Sequence, residues 1–116
     1  MSDHYHDPND LKLFKRLKGL APEEFSAWLG LEKSIAREGG AIPPKYRQLI
    51  SVAVAITTQC PYCIEAHARA AKKAGATAEE LAEAALISAA LNAGAAAAHA
   101  TMALKFFEGE GTTPSA

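Results

Sequence analysis

Cys60, Cys63 and His67 are the side chains whose types and spacing could do chemistry together, in the stretch "TTQCPYCIEAHARAAKKAG". Residues three or four apart lie on one face of a helix. A helix starting at the cysteines therefore lets His67 reach Cys63 and puts Cys60 one turn before it. Pro61 suits the first turn of such a helix. The unpaired N–H groups and positive dipole end found there favour a thiolate. A free thiol with a pKa near 8.5 can fall to about 3.5–7.5 in that position or beside a basic group. The spacing then assigns roles. Cys63, next to His67, is the nucleophile toward a peroxide or a disulfide, and His67 accepts its proton. Cys60 resolves the resulting sulfenic acid into a Cys60–Cys63 disulfide, which an external dithiol reduces. Position alone favours Cys60 as the more acidic thiol, being nearer the helix end. The direct imidazole contact is the stronger indication and favours Cys63.

Two other readings of the cluster stand beside this one. A zinc site takes four protein ligands if structural, or three and a water if catalytic. Cys60, Cys63 and His67 supply three, and a fourth has to come from His99, His4 or His6, since there is no second C-x-x-C. Alternatively both cysteines are small buried apolar residues. The first ten residues, "MSDHYHDPND", hold no apolar leader, so a cytoplasmic, reducing location is expected. With only two cysteines, a structural disulfide framework is not expected there, which favours redox chemistry or metal binding. The net charge of −1 and pI near 6.4 give no reason to expect nucleic acid or anionic lipid as a partner. Lys12, Lys15, Arg16 and Lys18 read as a solvated helix face.

The elements that must position the cluster read as helices throughout. Asp10 to Leu20 is a short amphipathic segment. Pro22 opens a second helix, with Glu23 and Glu24 in its first turn and an apolar stripe of Phe25, Trp28, Leu29 and Ile35. Gly39-Gly40 is expected to end it. A third helix runs from Pro44 to Thr58. Its run "LISVAVAITT" is rich in β-branched residues, but no second strand exists for pairing. The cysteine helix stops at Gly75, and Thr77 with Glu80 forms a capping box for the next. Asn92 to Gly94 is expected to interrupt that helix, with a last one from Ala95 to about Phe107. These elements make one all-α domain of about six helices over residues 1–116, with 1–9 and the tail "EGEGTTPSA" flexible. The segment from Ala84 to Leu104 is long enough for a membrane span. It is mostly alanine and carries Ser88, Asn92, His99 and Thr101, so it reads as buried against protein. Twenty-six alanines, 22 of them after position 52, let helices approach closely while burying little area each. Burial against further copies of the chain, a homo-oligomer, is expected, with Ala93 to Ala100 as one contact. The same stripe also suits an ordinary tight pair within one chain.

The stretch "CPYCIEAHARAAKKAGATAEELAEA" resembles the core of the AhpD-like alkylhydroperoxidases in the carboxymuconolactone decarboxylase family. Their signature is a glutamate, eleven residues, then C-x-x-C-x-x-x-H, and the likeness extends over about Ile42 to Leu104. The resemblance implies an AhpD-like helical bundle that forms dimers, trimers or hexamers and reduces peroxides. It implies no bound cofactor and recycling by a lipoyl- or thioredoxin-like dithiol partner. It makes Cys63 the peroxidatic thiol, Cys60 its disulfide partner and His67 part of a proton relay, in agreement with the spacing. Two positions depart from the pattern. Gln48, in "KYRQLISV", stands where the family has its glutamate, and an amide takes no proton near neutral pH. A relay would then run through water, Glu65 or Glu83, with slow peroxidase turnover as one consequence. Tyr62 stands where the well-known peroxidases have a histidine between the cysteines. His99 and Tyr46 could face the cluster, while Glu65, Glu79, Glu80 and Glu83 read as surface or capping charges. A non-catalytic redox sensor and the lactone decarboxylation of the wider family are the competing functions.

Overall fold

The computed structural model describes residues 5–109, so His4 and most of the tail expected to be flexible lie outside the described residues. A 3-10 helix, Pro8–Leu13, leads into α1, Phe14–Leu20, and then α2, Pro22–Ile35. Next come α3, Pro44–Thr57, α4, Pro61–Lys73, and α5, Ala78–Glu108. Among the described residues there is no strand, so the fold is all-α, as the sequence predicts. The first helix differs in detail. Asp7 caps the chain ahead of Pro8, accepting from the Asn9 N–H at 2.8 Å, so a 3-10 stretch replaces the first turn expected at Asp10.

α3 is the centre of the molecule, and α4 and α5 pack on it. Leu49, Val52 and Ala55 recur every three residues along its buried face, and Ala71 is the buried residue of α4. This face settles the β-branched run as helix: a stripe at a spacing of three is a helical period, and a strand alternates. The α3–α5 contact is small and polar at its heart. Ser88, buried on α5, donates to the Ala53 carbonyl at 2.8 Å and lies 2.6 Å from the Thr57 hydroxyl. Small side chains there let the two backbones approach. At the other end, Lys45 of α3 meets Glu80 of α5 at 3.0 Å, and Glu80 also closes the expected capping box with Thr77. α1 is held to α2 by an aromatic trio, Phe14, Phe25 and Trp28, with ring centroids 5.5–5.6 Å apart.

Two boundaries differ from expectation. α5 runs unbroken through Asn92–Gly94 for 31 residues. A helical glycine costs about 1 kcal/mol, and the surrounding alanines, the best helix formers, offset it without a cap. α2 stops at Ile35, before Gly39-Gly40. The chain leaves the helix there to wrap the guanidinium of Arg47, which donates to the carbonyls of Ile35 at 3.0 Å and Ile42 at 2.8 Å. Gly40 lies against that guanidinium so closely that a Cβ would collide with it.

The core is thin. Among the described residues only four apolar side chains are buried, and the Cα radius of gyration is 19.4 Å, against about 13 Å for a compact domain of this length. α5 carries much of the exposed apolar surface, including Leu86, Ile87, Leu91 and Phe107. Only 6% of its most apolar window is buried, so the burial against protein that its composition predicts is not found within one chain. By length and composition α5 is apolar enough to cross a membrane.

Candidate active site

The turn between α3 and α4 sets the site. Gln59 takes φ 55°, the left-handed region, directly after α3. Its N–H bonds to the Ile56 carbonyl at 3.2 Å and the Cys60 N–H to the Ala55 carbonyl at 3.0 Å. This is a Schellman closure of α3, normally built on glycine. It reverses the chain so that Cys60 becomes the N-cap of α4 with Pro61 in the first turn. The Cys60 sulfur accepts from the Cys63 N–H at 3.2 Å, so the sulfur itself caps the helix. Cys60 and Cys63 are joined as a disulfide, their Cα atoms 5.3 Å apart, within the range that disulfide geometry allows.

His67 follows one turn along α4, and its Nδ1 lies 2.7 Å from Oε1 of Gln48 on α3. With the amide oxygen as acceptor, Nδ1 carries the proton and Nε2 keeps its lone pair. Cys63 and His67 line one cavity of about 400 Å³, walled by Ile35, Ile42, Ile50 and Val54, with Arg47 and Glu32 also in its lining. A second cavity, about 550 Å³, lies between α1 and the other side of the disulfide. Leu11, Leu13, Phe14, Leu17 and Leu20 line it, together with Cys60 and Cys63. Cys63 therefore borders both cavities, His67 only the first and Cys60 only the second.

Tyr62, between the cysteines, donates its hydroxyl to the Asp10 carboxylate at 2.5 Å and so ties the 3-10 helix to α4. That bond, with help from the Asp7 backbone, holds the Asp10 carboxyl below the ordinary carboxylate range. The same bond raises the Tyr62 phenol above its ordinary value. Glu80 is likewise lowered, by the Thr77 N–H first and Lys45 second.

Cys60, Cys63, His67 and Gln48 are thus brought together. Glu65 is exposed and pairs with Arg69 at 3.4 Å, Glu83 is exposed, and neither lines the His67 cavity. His99 sits on an exposed stretch of α5, and Tyr46 is exposed beneath the Lys45 ammonium. Among the described residues, no three His, Cys, Asp or Glu side chains are grouped to hold a metal ion. Sequence reasoning missed Arg47 and Asp10. Both act through partners distant in sequence, which no local pattern signals; Arg47 had only its place beside Gln48 to mark it.

Taken together, an all-helical chain with a C-x-x-C pair at a helix N-terminus, and a histidine fixed one turn later, is a dithiol protein of the AhpD-like kind. Residues 22–106 match the model of the carboxymuconolactone decarboxylase family, and the chain belongs to that family. It is 49% identical over 78 residues to protein 4 in the cox locus of Paracoccus denitrificans, covering 67% of this chain and 69% of that one. A Cupriavidus necator protein is 34% identical over 95 residues, 82% of this chain and 83% of the relative. A Haemophilus influenzae protein is 41% identical over 66 residues, 57% and 58% of the two chains. All three relatives bear the description "uncharacterized".

Proposed function

We propose that this chain is a dithiol oxidoreductase that reduces alkyl hydroperoxides or disulfides through Cys60 and Cys63. The Cys63 thiolate attacks the terminal peroxide oxygen, the O–O bond breaks, and the alkoxide leaves as the alcohol with the proton held by His67. Cys60 then attacks the Cys63 sulfenic acid, water leaves, and the disulfide forms. An external dithiol, lipoyl- or thioredoxin-like, restores both thiols by exchange. No bound cofactor enters this cycle.

The observation that carries the proposal is the fixed imidazole. His67 is oriented by Gln48 and shares with Cys63 a cavity whose isoleucines and Val54 suit an alkyl chain, with Glu32, Arg47, Ser51 and Thr58 as polar lining. Self-association is part of the same proposal. The exposed apolar face of α5 and the extended single chain favour burial against further copies. A cytoplasmic site, with neither nucleic acid nor membrane as partner, fits the charge and the thiol chemistry.

The test is to titrate the reduced protein with cumene hydroperoxide and follow its free thiols by intact mass. Loss of two thiols, with one alcohol formed per disulfide, is expected. Two thiols surviving conditions that oxidise a control peroxidase would sink the proposal. Gln48 favours a second reading, a redox sensor without turnover, because its amide accepts a hydrogen bond yet takes no proton. That reading expects one oxidation, a change of oligomer size and no turnover with reductant present. Lactone decarboxylation, the chemistry in the family's name, needs no C-x-x-C pair; a direct lactone assay separates it.

A further inference from the structure

We infer that the cavity beneath α1 is a second binding site, through which a thiol on an apolar arm reduces the disulfide by attacking Cys60. This rests on the proposal that Cys60 and Cys63 form a redox pair, and adds where the reductant enters and which sulfur it meets.

The two faces of the disulfide differ in chemistry. On one lie His67 and the cavity walled by isoleucines and Val54, where Cys63 is the only sulfur. On the other lies the leucine-walled cavity of α1, the one that Cys60 borders. Its lining is apolar apart from Arg16, Asp10 and Tyr62, and the last two are bound to each other. Asp10 remains a carboxylate when it accepts from Tyr62, so Arg16, the cation in that lining, offsets its charge and leaves the cavity open to the thiolate, the reactive form of a reducing thiol. Lys12, Lys15 and Lys18 neighbour it in sequence but do not line the cavity.

Electrons and protons balance across two exchanges. The thiolate RS⁻ bonds to the Cys60 sulfur, the Cys60–Cys63 bond breaks, and Cys63 leaves as a thiolate on the His67 side. A second thiol of the reductant then attacks its own sulfur in the mixed disulfide. Cys60 is released as a thiolate that takes up a proton, and the reductant leaves oxidised by two electrons. Oxidant and reductant thus use opposite faces of one disulfide.

The test uses the oxidised full-length chain with no peroxide present, so a protein that never consumes peroxide still answers it. Failure of the redox-pair proposal itself shows differently, as a disulfide that neither thiol reduces. Reduction by 2-mercaptoethanol and by 6-mercaptohexanol is compared, each rate corrected for its thiolate fraction. The longer arm is expected to react about tenfold faster. Acid quenching at early times and peptide mapping should find the mixed disulfide on Cys60. Equal corrected rates, or trapping on Cys63, overturn the inference, and both results come from the wild-type chain. In Leu13→Glu/Leu20→Glu the advantage of the longer thiol should shrink at least fivefold, whereas an undiminished advantage puts the arm elsewhere. Both leucines are at least half exposed, so the exchange removes little packing.

Discussion

Gln48→Glu is the sharpest perturbation of the proposed relay. In the wild type the His67 Nδ1–H meets a neutral amide oxygen at 2.7 Å, and both side chains are half-buried. A neutral hydrogen bond contributes about 1 kcal/mol and one to a charged partner about 1.5–3 kcal/mol. Glutamate in the same place should therefore favour the imidazolium, and with it the Cys63 thiolate, by about 0.5–2 kcal/mol, or about 1.2 kcal/mol at mid-range. At about 1.4 kcal/mol per factor of ten, that is roughly a tenfold gain in thiolate and in oxidation rate. The full 10²–10⁴ that general acid–base catalysis can contribute is not expected, because the imidazole is already present. Stopped-flow oxidation of the reduced protein by cumene hydroperoxide at pH 7 measures the gain. The gain should fade as the pH falls through the carboxylate range, an acid limb that the wild-type amide, having no proton to take up there, does not produce. Gln48→Leu should act in the opposite direction, because Nδ1–H loses its acceptor and the ring its anchor. A Gln48→Glu rate within twofold of wild type, in a variant of unchanged helicity and melting temperature, would refute the relay.

Three further outcomes are expected. Gln59→Gly removes a side chain from a left-handed position and should stabilise the fold by about 0.5–1 kcal/mol, read as a higher urea midpoint; a lower midpoint would mean that the Gln59 side chain does more than tolerate its φ. The Tyr62–Asp10 bond needs a carboxylate and a phenol. Its lowered carboxyl means its contribution is present above the ordinary Asp value and lost as pH falls through the lower folded value. Its raised phenol means the contribution is present below about 10 and lost at still higher pH. Ultraviolet titration of Tyr62, against an Asp10→Asn variant, should show the phenol ionising at lower pH in the variant. Finally, the wild type should run as an oligomer in light scattering, and Leu91→Glu, on the exposed face of α5, should shift it toward monomer; a monomeric wild type would remove self-association from the proposal.

What the sequence made legible follows from range. Capping signals act over three or four residues, so Pro22, Pro44, Pro61, Gly75 and the Thr77–Glu80 box each marked a real helix boundary. Gln48 was found through a spacing carried by the family resemblance, and the structure places it on His67. The break at Asn92–Gly94 failed because propensity was read locally, while the alanines on both sides carry the helix through. The end of α2 failed for the opposite reason. Arg47, twelve residues beyond Ile35, decides where that helix stops, and no pattern near Gly39 reports it. Asp10 as the partner of Tyr62, 52 residues away, was beyond any such pattern.

The two sequence indications about thiol acidity pointed to different sulfurs, and the geometry gives each a separate stabiliser. The Cys63 N–H, at the positive end of α4, points at Cys60. The imidazole fixed by Gln48 lies on the side of Cys63. In the proposed cycle the two thiols need activation at different moments. Cys63 must be a thiolate when the peroxide arrives, and Cys60 must be one when the sulfenic acid waits to be resolved. One shared stabiliser would serve whichever thiolate formed first and leave the other protonated. Two independent ones let both steps run at the same pH. On that account Gln48→Glu should quicken the first step and leave the second, which depends on a backbone N–H, at its own rate.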